Sequence, residues 1–147
     1  MAAVSGWIVL SMAGCTSGPD AELAAAEMEK WRGRWQCVTR IEEGSPIPAE
    51  EAAQITLTVG GTVYHFRWGE DFDELGRYRF LPDREPKVIE ATIESPPEMA
   101  GRVIPLIYRI DGDDMTFVHR EDLTLPKEFT SDPESGQTLE VWRRIRP

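Results

Sequence analysis

Histidine and cysteine are scarce in this chain, with two of each in 147 residues. His65 and His119, with no cysteine beside them and no paired carboxylate, do not make a zinc site. Basic charge is short as well: 16 Lys+Arg against 26 Asp+Glu leave a formal net charge of -10. Such a field repels phosphate backbones and argues against a nucleic-acid partner. No apolar run approaches the roughly 20 residues that a bilayer-spanning helix needs. No Gly-x-Ser-x-Gly, phosphate loop or dinucleotide fingerprint occurs, and no catalytic constellation is legible. The sequence therefore predicts neither an enzyme nor a cofactor. With 41% hydrophobic and 29% charged residues, the chain has the profile of one folded domain with a core of ordinary size.

Residues 1–14 carry no charged side chain and end in small residues before Cys15. The stretch has the length of a secretion-signal core, and Met12-Ala13-Gly14-Cys15 resembles the bacterial lipobox. That resemblance implies a diacylglyceryl group on Cys15, the new N-terminus after cleavage, and a membrane-anchored lipoprotein of the cell envelope. No Lys or Arg precedes the apolar core, a departure from the usual signal. Thr16 to Asp20 reads as a flexible tether. The expected divisions are a lipoprotein signal over 1–14, a tether and short helix over 15–30, and a folded domain over 31–147. If Cys15 is acylated, Cys37 stands alone in an apolar alternating strand, where a thiol behaves as a small buried hydrophobe.

Ala21 to Trp31 is rich in helix formers, with Asp20 placed as N-cap. From Gly33 the period changes to two. Trp35, Cys37, Thr39 and Ile41 share one face of the first strand, and Gln36, Val38 and Arg40 the other. Ile55, Leu57 and Val59 lead through Gly60-Gly61 to a return strand carrying Tyr64, Phe66 and Trp68. Glu70 to Glu74 reads as an acidic loop that lacks the fuller ligand spacing of a calcium site. Further strands follow, with Tyr78 and Phe80, with Ile89, Ala91 and Ile93, with Ile104, Leu106, Tyr108 and Ile110, and with Met115, Phe117 and His119. Pro105 stands on the opposite parity, which suggests an edge or a bulge. After a long loop from Leu125 to Gly136, the last strand places Leu139, Val141, Arg143 and Ile145 on one face. About eight strands joined mainly by short turns predict an all-β fold, an antiparallel up-and-down barrel preceded by a short helix. A two-sheet sandwich is the competing architecture.

Gly33-Arg34-Trp35 on the first strand and a basic residue on the last resemble the lipocalin and calycin barrels, in which an arginine packs over that tryptophan at the closed end. Longer stretches, including Trp31 to Trp35, Ile47 to Glu51, Tyr108 to Asp113 and Pro126 to Ser131, resemble a lipocalin-like domain family of unknown function that is abundant in planctomycete bacteria. The resemblance implies a barrel closed by Gly33, Trp35 and a terminal arginine. Strand parity favours Arg143, while the family's terminal basic pair equally offers Arg144. A guanidinium over an indole contributes about 0.5–2 kcal/mol.

The aromatic rows Tyr64, Phe66, Trp68, Tyr78, Phe80, Tyr108 and Phe117 are candidates to line an apolar cavity, with His119 adding polarity. An eight-stranded interior is either packed solid or holds one small ligand. The leading expectation is accordingly a lipid-anchored barrel that binds a small hydrophobic molecule. The alternative is a protein-interaction or inhibitor module with a packed barrel, docking through the loop from Leu125 to Gly136.

Overall fold

The computed structural model describes residues 18–147; the expected signal over 1–14 and Cys15 lie outside the described residues. The strands are β1 (Gly33–Glu42), β2 (Ser45–Pro46), β3 (Ile55–Gly60), β4 (Val63–Trp68), β5 (Phe72–Leu81), β6 (Lys87–Ser95), β7 (Val103–Asp111), β8 (Asp114–Arg120) and β9 (Gln137–Ile145). From β3 to β9 each pairs antiparallel with the next, and β1 pairs with β3 on one side and β9 on the other. The sheet therefore closes on itself as an eight-stranded barrel, with β2 a short flap on β1. Closure leaves no long unpaired edge. The all-β up-and-down architecture expected from the periodicity is the one observed.

Helix α1 (Pro19–Trp31) precedes the barrel and packs onto it through its last turns. Gly18, not Asp20, is its N-cap. Pro19 has a preset φ that suits the first helical turn and moves the start forward. Asp20 then stands in that turn, where its charge complements the helix dipole. No helix among the described residues is long and apolar enough to cross a membrane.

Two side chains fasten α1. Trp31 is fully buried, with its ring edge-on to Tyr78, Phe80 and Tyr108 at 5.3, 5.9 and 5.0 Å and stacked on Phe117 at 6.1 Å. Glu27, also buried, accepts hydrogen bonds from Lys30 Nζ at 2.7 Å, Lys87 Nζ at 2.9 Å and Tyr108 OH at 2.9 Å. Burial opposes its charge, but these three donors outweigh it and hold the carboxyl below its ordinary value.

The terminal arginine over Trp35 is Arg144, its guanidinium carbon 4.2 Å from the indole centroid. The same group donates to the carbonyls of Lys30 (2.6 Å) and Arg32 and to Asp113 Oδ1 (3.1 Å). Trp35 Nε1 in turn donates to the Trp31 carbonyl at 2.9 Å. Gly33 makes room for this: its φ is +124°, and a Cβ there would come within 3.0 Å of the Arg144 guanidinium. Arg143 points outward and pairs with Asp114 at the surface.

The parity expected for β9 is thus corrected. Thr138, Glu140 and Trp142 are the buried residues that alternate along β9, with Arg144 continuing their row, while Leu139, Val141 and Arg143 face out. The reason is a second apolar cluster on the outside of the barrel. Val88, Ile107 and Val118 pack there with Leu81, Leu139 and Phe129. Phe129 belongs to the long loop 121–136, whose position is fixed by Gln137 Nε2 donating to the Thr130 carbonyl at 2.7 Å and by Arg109 over the Phe129 ring at 4.6 Å. With both faces of β9 covered, apolar residues stand on both parities and alternation loses its meaning.

Replacing Arg144 with Ala is expected to cost about 2–3 kcal/mol, since two backbone carbonyls lose a charged donor. Replacing Arg143 with Ala should stay within about 0.5 kcal/mol, the usual range for an exposed site. Urea denaturation of both variants checks this, and equal losses would contradict the assignment of Arg144.

Candidate functional site

The site begins with an irregularity in β1. Cys37 pairs with Trp142 and Thr39 with Val141, so Val38 is an extra residue, a β-bulge. Before it, Trp35 and Cys37 point inward as the alternation requires. After it the parity inverts, and Arg40 enters the barrel opposite Glu140. The expected continuation of the inward face through Thr39 and Ile41 is corrected by this one residue. Burial pushes the Cys37 thiol up to about 12, so it is a neutral core group.

Inside the barrel is a cavity of about 380 Å³. Tyr64, Phe66, Trp68, Tyr78, Phe117 and His119, all expected as lining residues, stand in its wall together with Phe72, Ile104 and Leu106. Phe80 and Tyr108 do not; both are turned against Trp31. Tyr78 and Phe117 touch Trp31 as well, so α1 supports the cavity through these two rings.

Four polar side chains share this largely apolar wall: Arg40, Glu74, His119 and Glu140. Arg40 Nη1 donates to Glu140 Oε1 at 2.5 Å and Arg40 Nε to Glu42 Oε1 at 2.7 Å, while its guanidinium lies 4.9 Å from the Trp68 centroid. Burial disfavours the Arg40 charge, yet Glu140 and Glu42 more than restore it, so the group stays protonated. His119 Nε2 approaches Glu140 Oε1 at 3.4 Å. The other oxygen of Glu140, Oε2, is buried and has no hydrogen-bond partner. Glu74 Oε1 accepts from Tyr64 OH at 2.8 Å, a contact made possible by Gly76. Gly76 is paired across the sheet with Tyr64, and a Cβ there would run into the Tyr64 ring. Desolvation raises Glu74 above its ordinary carboxyl value; the neighbouring Glu140 acts in the same direction, against the Tyr64 bond, His119 and Arg40.

The acidic segment after β4 is shorter as a loop than expected, because β5 already begins at Phe72. Its carboxylates separate: Asp73 faces out and pairs with His65 and Arg67, whereas Glu74 faces in. Among the described residues no group of three or more His, Cys, Asp and Glu is gathered in the manner of a metal site. Sequence reasoning missed Arg40, Glu74 and Glu140. Glu74 carried a signal, since it extends the alternating row Gly76, Tyr78, Phe80 by one step. The bulge at Val38 and the covered outer face of β9 left none for the other two.

The fold and the cavity define a closed antiparallel barrel with an internal chamber. No family model matches the chain, nor does any curated protein or solved structure.

A carboxyl held above its ordinary value binds its proton more tightly in the folded state, so stability falls as pH rises from the ordinary carboxyl value through the folded one. Glu74→Gln keeps an acceptor for Tyr64 and removes that ionisation. The variant should therefore gain stability relative to the parent between about pH 4 and about pH 7. Denaturant unfolding at both pH values checks this; a difference that does not change with pH would contradict it.

Proposed function

We propose that this chain is an exported, lipid-anchored lipocalin-like protein that holds a small hydrophobic molecule inside its barrel. One observation carries the ligand reading: the cavity of about 380 Å³, walled chiefly by aromatic and aliphatic side chains. Small-molecule pockets run from about 300 to 1,000 Å³, with mostly apolar walls and a few placed polar groups. A barrel whose role is only to present its outer surface has no use for such a chamber, which forgoes packing contacts along its wall. The aromatic residues give the wall rigid apolar area, and Arg40, Glu74, His119 and Glu140 orient what enters.

Export and anchoring rest on the sequence around Cys15. The expected step is transfer of a diacylglyceryl group from a membrane phospholipid to the Cys15 thiol, which loses its proton as the phosphate-bearing head group leaves, followed by hydrolysis of the Gly14–Cys15 peptide bond. Thr16, Ser17 and Gly18 would then link the anchor to α1, which begins at Pro19.

Binding is tested with the neutral fluorophore N-phenyl-1-naphthylamine. The parent should enhance its emission with saturation. Ala91→Phe, which extends a ring from the cavity wall into the chamber, should weaken that binding by at least about tenfold while the circular dichroism spectrum is kept. Unchanged affinity in a folded Ala91→Phe protein removes the interior as the binding site. For the anchor, Cys15→Ser expressed in a bacterial host should move the protein from the membrane to the soluble fraction; identical fractionation of parent and variant contradicts lipidation.

A further inference from the structure

We propose that the bound molecule carries a cationic amine head, received by the two carboxylates Glu140 and Glu74 in the cavity wall, behind which its apolar body lies against the aromatic rows. The proposal rests on the reading of the cavity as a ligand site and names the class of ligand.

Three observations lead there. The first is Glu140 itself. Its side chain is only 2% exposed, and although Oε1 is shared by Arg40 at 2.5 Å and His119 at 3.4 Å, Oε2 has no partner. A buried carboxylate oxygen without a donor is costly; Oε2 is not itself exposed to the chamber that Glu140 lines, so a ligand N–H reaches it through a turn of the Glu140 carboxylate and recovers that cost on binding. The second is Glu74, whose known bond is from a neutral hydroxyl, Tyr64 OH at 2.8 Å, so its charge has no cation in direct contact. The third is the state of the one permanent cation in the wall. Arg40 is already engaged by Glu140 and by Glu42 at 2.7 Å, and its face lies against Trp68. It therefore has little left to offer a ligand carboxylate, which would also meet Glu74 and Glu140 as like charges.

Count the groups facing the chamber together with Glu42 beyond Arg40. There are three carboxyls, one guanidinium and one imidazole. A fatty acid brings a further negative charge to this set, whereas an ammonium supplies the donor that Glu140 Oε2 lacks and a counter-charge for Glu74. The polar groups lie within a wall otherwise made of rings and aliphatic chains. An alkylamine or arylalkylamine, protonated near neutral pH, matches both halves, and a simple hydrophilic cation matches only one.

Decylamine, decanol and decanoate share one chain and differ only in the head. Each is titrated against the parent protein loaded with N-phenyl-1-naphthylamine, and displacement gives its relative affinity. Decylamine should bind at least about tenfold tighter than both decanoate and decanol, the scale of one charged hydrogen bond. Glu140→Gln should reduce the amine-to-decanol ratio to about threefold or less. Glu74→Gln, which keeps its hydrogen bond from Tyr64, should reduce the ratio in the same direction and serves if the Glu140 variant does not fold. If decanol or decanoate equals decylamine on the parent, or if both folded variants keep the parent's ratio, the amine assignment is overturned while the cavity stands as an apolar site. If neither the fluorophore nor any of the three chains binds, the ligand-binding function itself is overturned.

Discussion

The Arg144 guanidinium is the point at which three parts of the chain meet. It covers the Trp35 indole of β1, comes from β9, and donates to the carbonyls of Lys30 and Arg32, where α1 ends. Those carbonyls are among the last of a helix and have no further partner of their own kind. A cation placed there satisfies the helix terminus, complements its dipole and seals the barrel end in one contact set. Closure of β1 onto β9 brings these groups together, and the seal in turn holds the two strands in register. The Trp31 carbonyl, accepting from Trp35 Nε1, ties the same corner from inside.

From that corner the interior is organised in layers. Trp31 fills the end nearest α1, surrounded by Tyr78, Phe80, Tyr108 and Phe117, and the chamber lies beyond, past Tyr78 and Phe117. The two layers differ in how they treat charge. In the first, both oxygens of Glu27 accept hydrogen bonds, Oε1 from two lysines and Oε2 from a tyrosine hydroxyl. In the second, Glu140 keeps one oxygen without a partner and Glu74 sits above its ordinary carboxyl value. Satisfied polar groups rigidify a structure; unsatisfied ones are retained at a cost.

How much of this was legible in the sequence follows from where one face of a strand is wet and the other dry. β3 alternates cleanly, with Ile55, Leu57 and Val59 on one buried face as their spacing groups them, and Tyr64 on β4 is buried as the head of its aromatic row. The glycine and tryptophan of β1 pointed to the sealed end. Parity failed in two places for different reasons. On β9, loop 121–136 covers the outside with Phe129, so Leu139 is apolar without being internal. On β1, the extra residue Val38 reverses the facing of everything after it, and neither glycine nor proline marks the spot. Both failures hid members of the polar set, Arg40 and Glu140. The chamber was therefore legible as an aromatic space and not as a charged one.

The bulge at Val38 has a bearing on how such barrels diversify. Cys37 pairs with Trp142 and Thr39 with Val141, so removing Val38 alone would leave Arg40 opposite Glu140 and still facing the chamber, now in an unbroken ladder. Insertions and deletions are commonly thought to be tolerated in loops and ruinous in strands. Here a one-residue insertion inside a strand is absorbed as a local bulge, and the contacts on its two sides, the seal at Trp35 and Arg144 and the pair of Arg40 with Glu140, keep their faces independently of it.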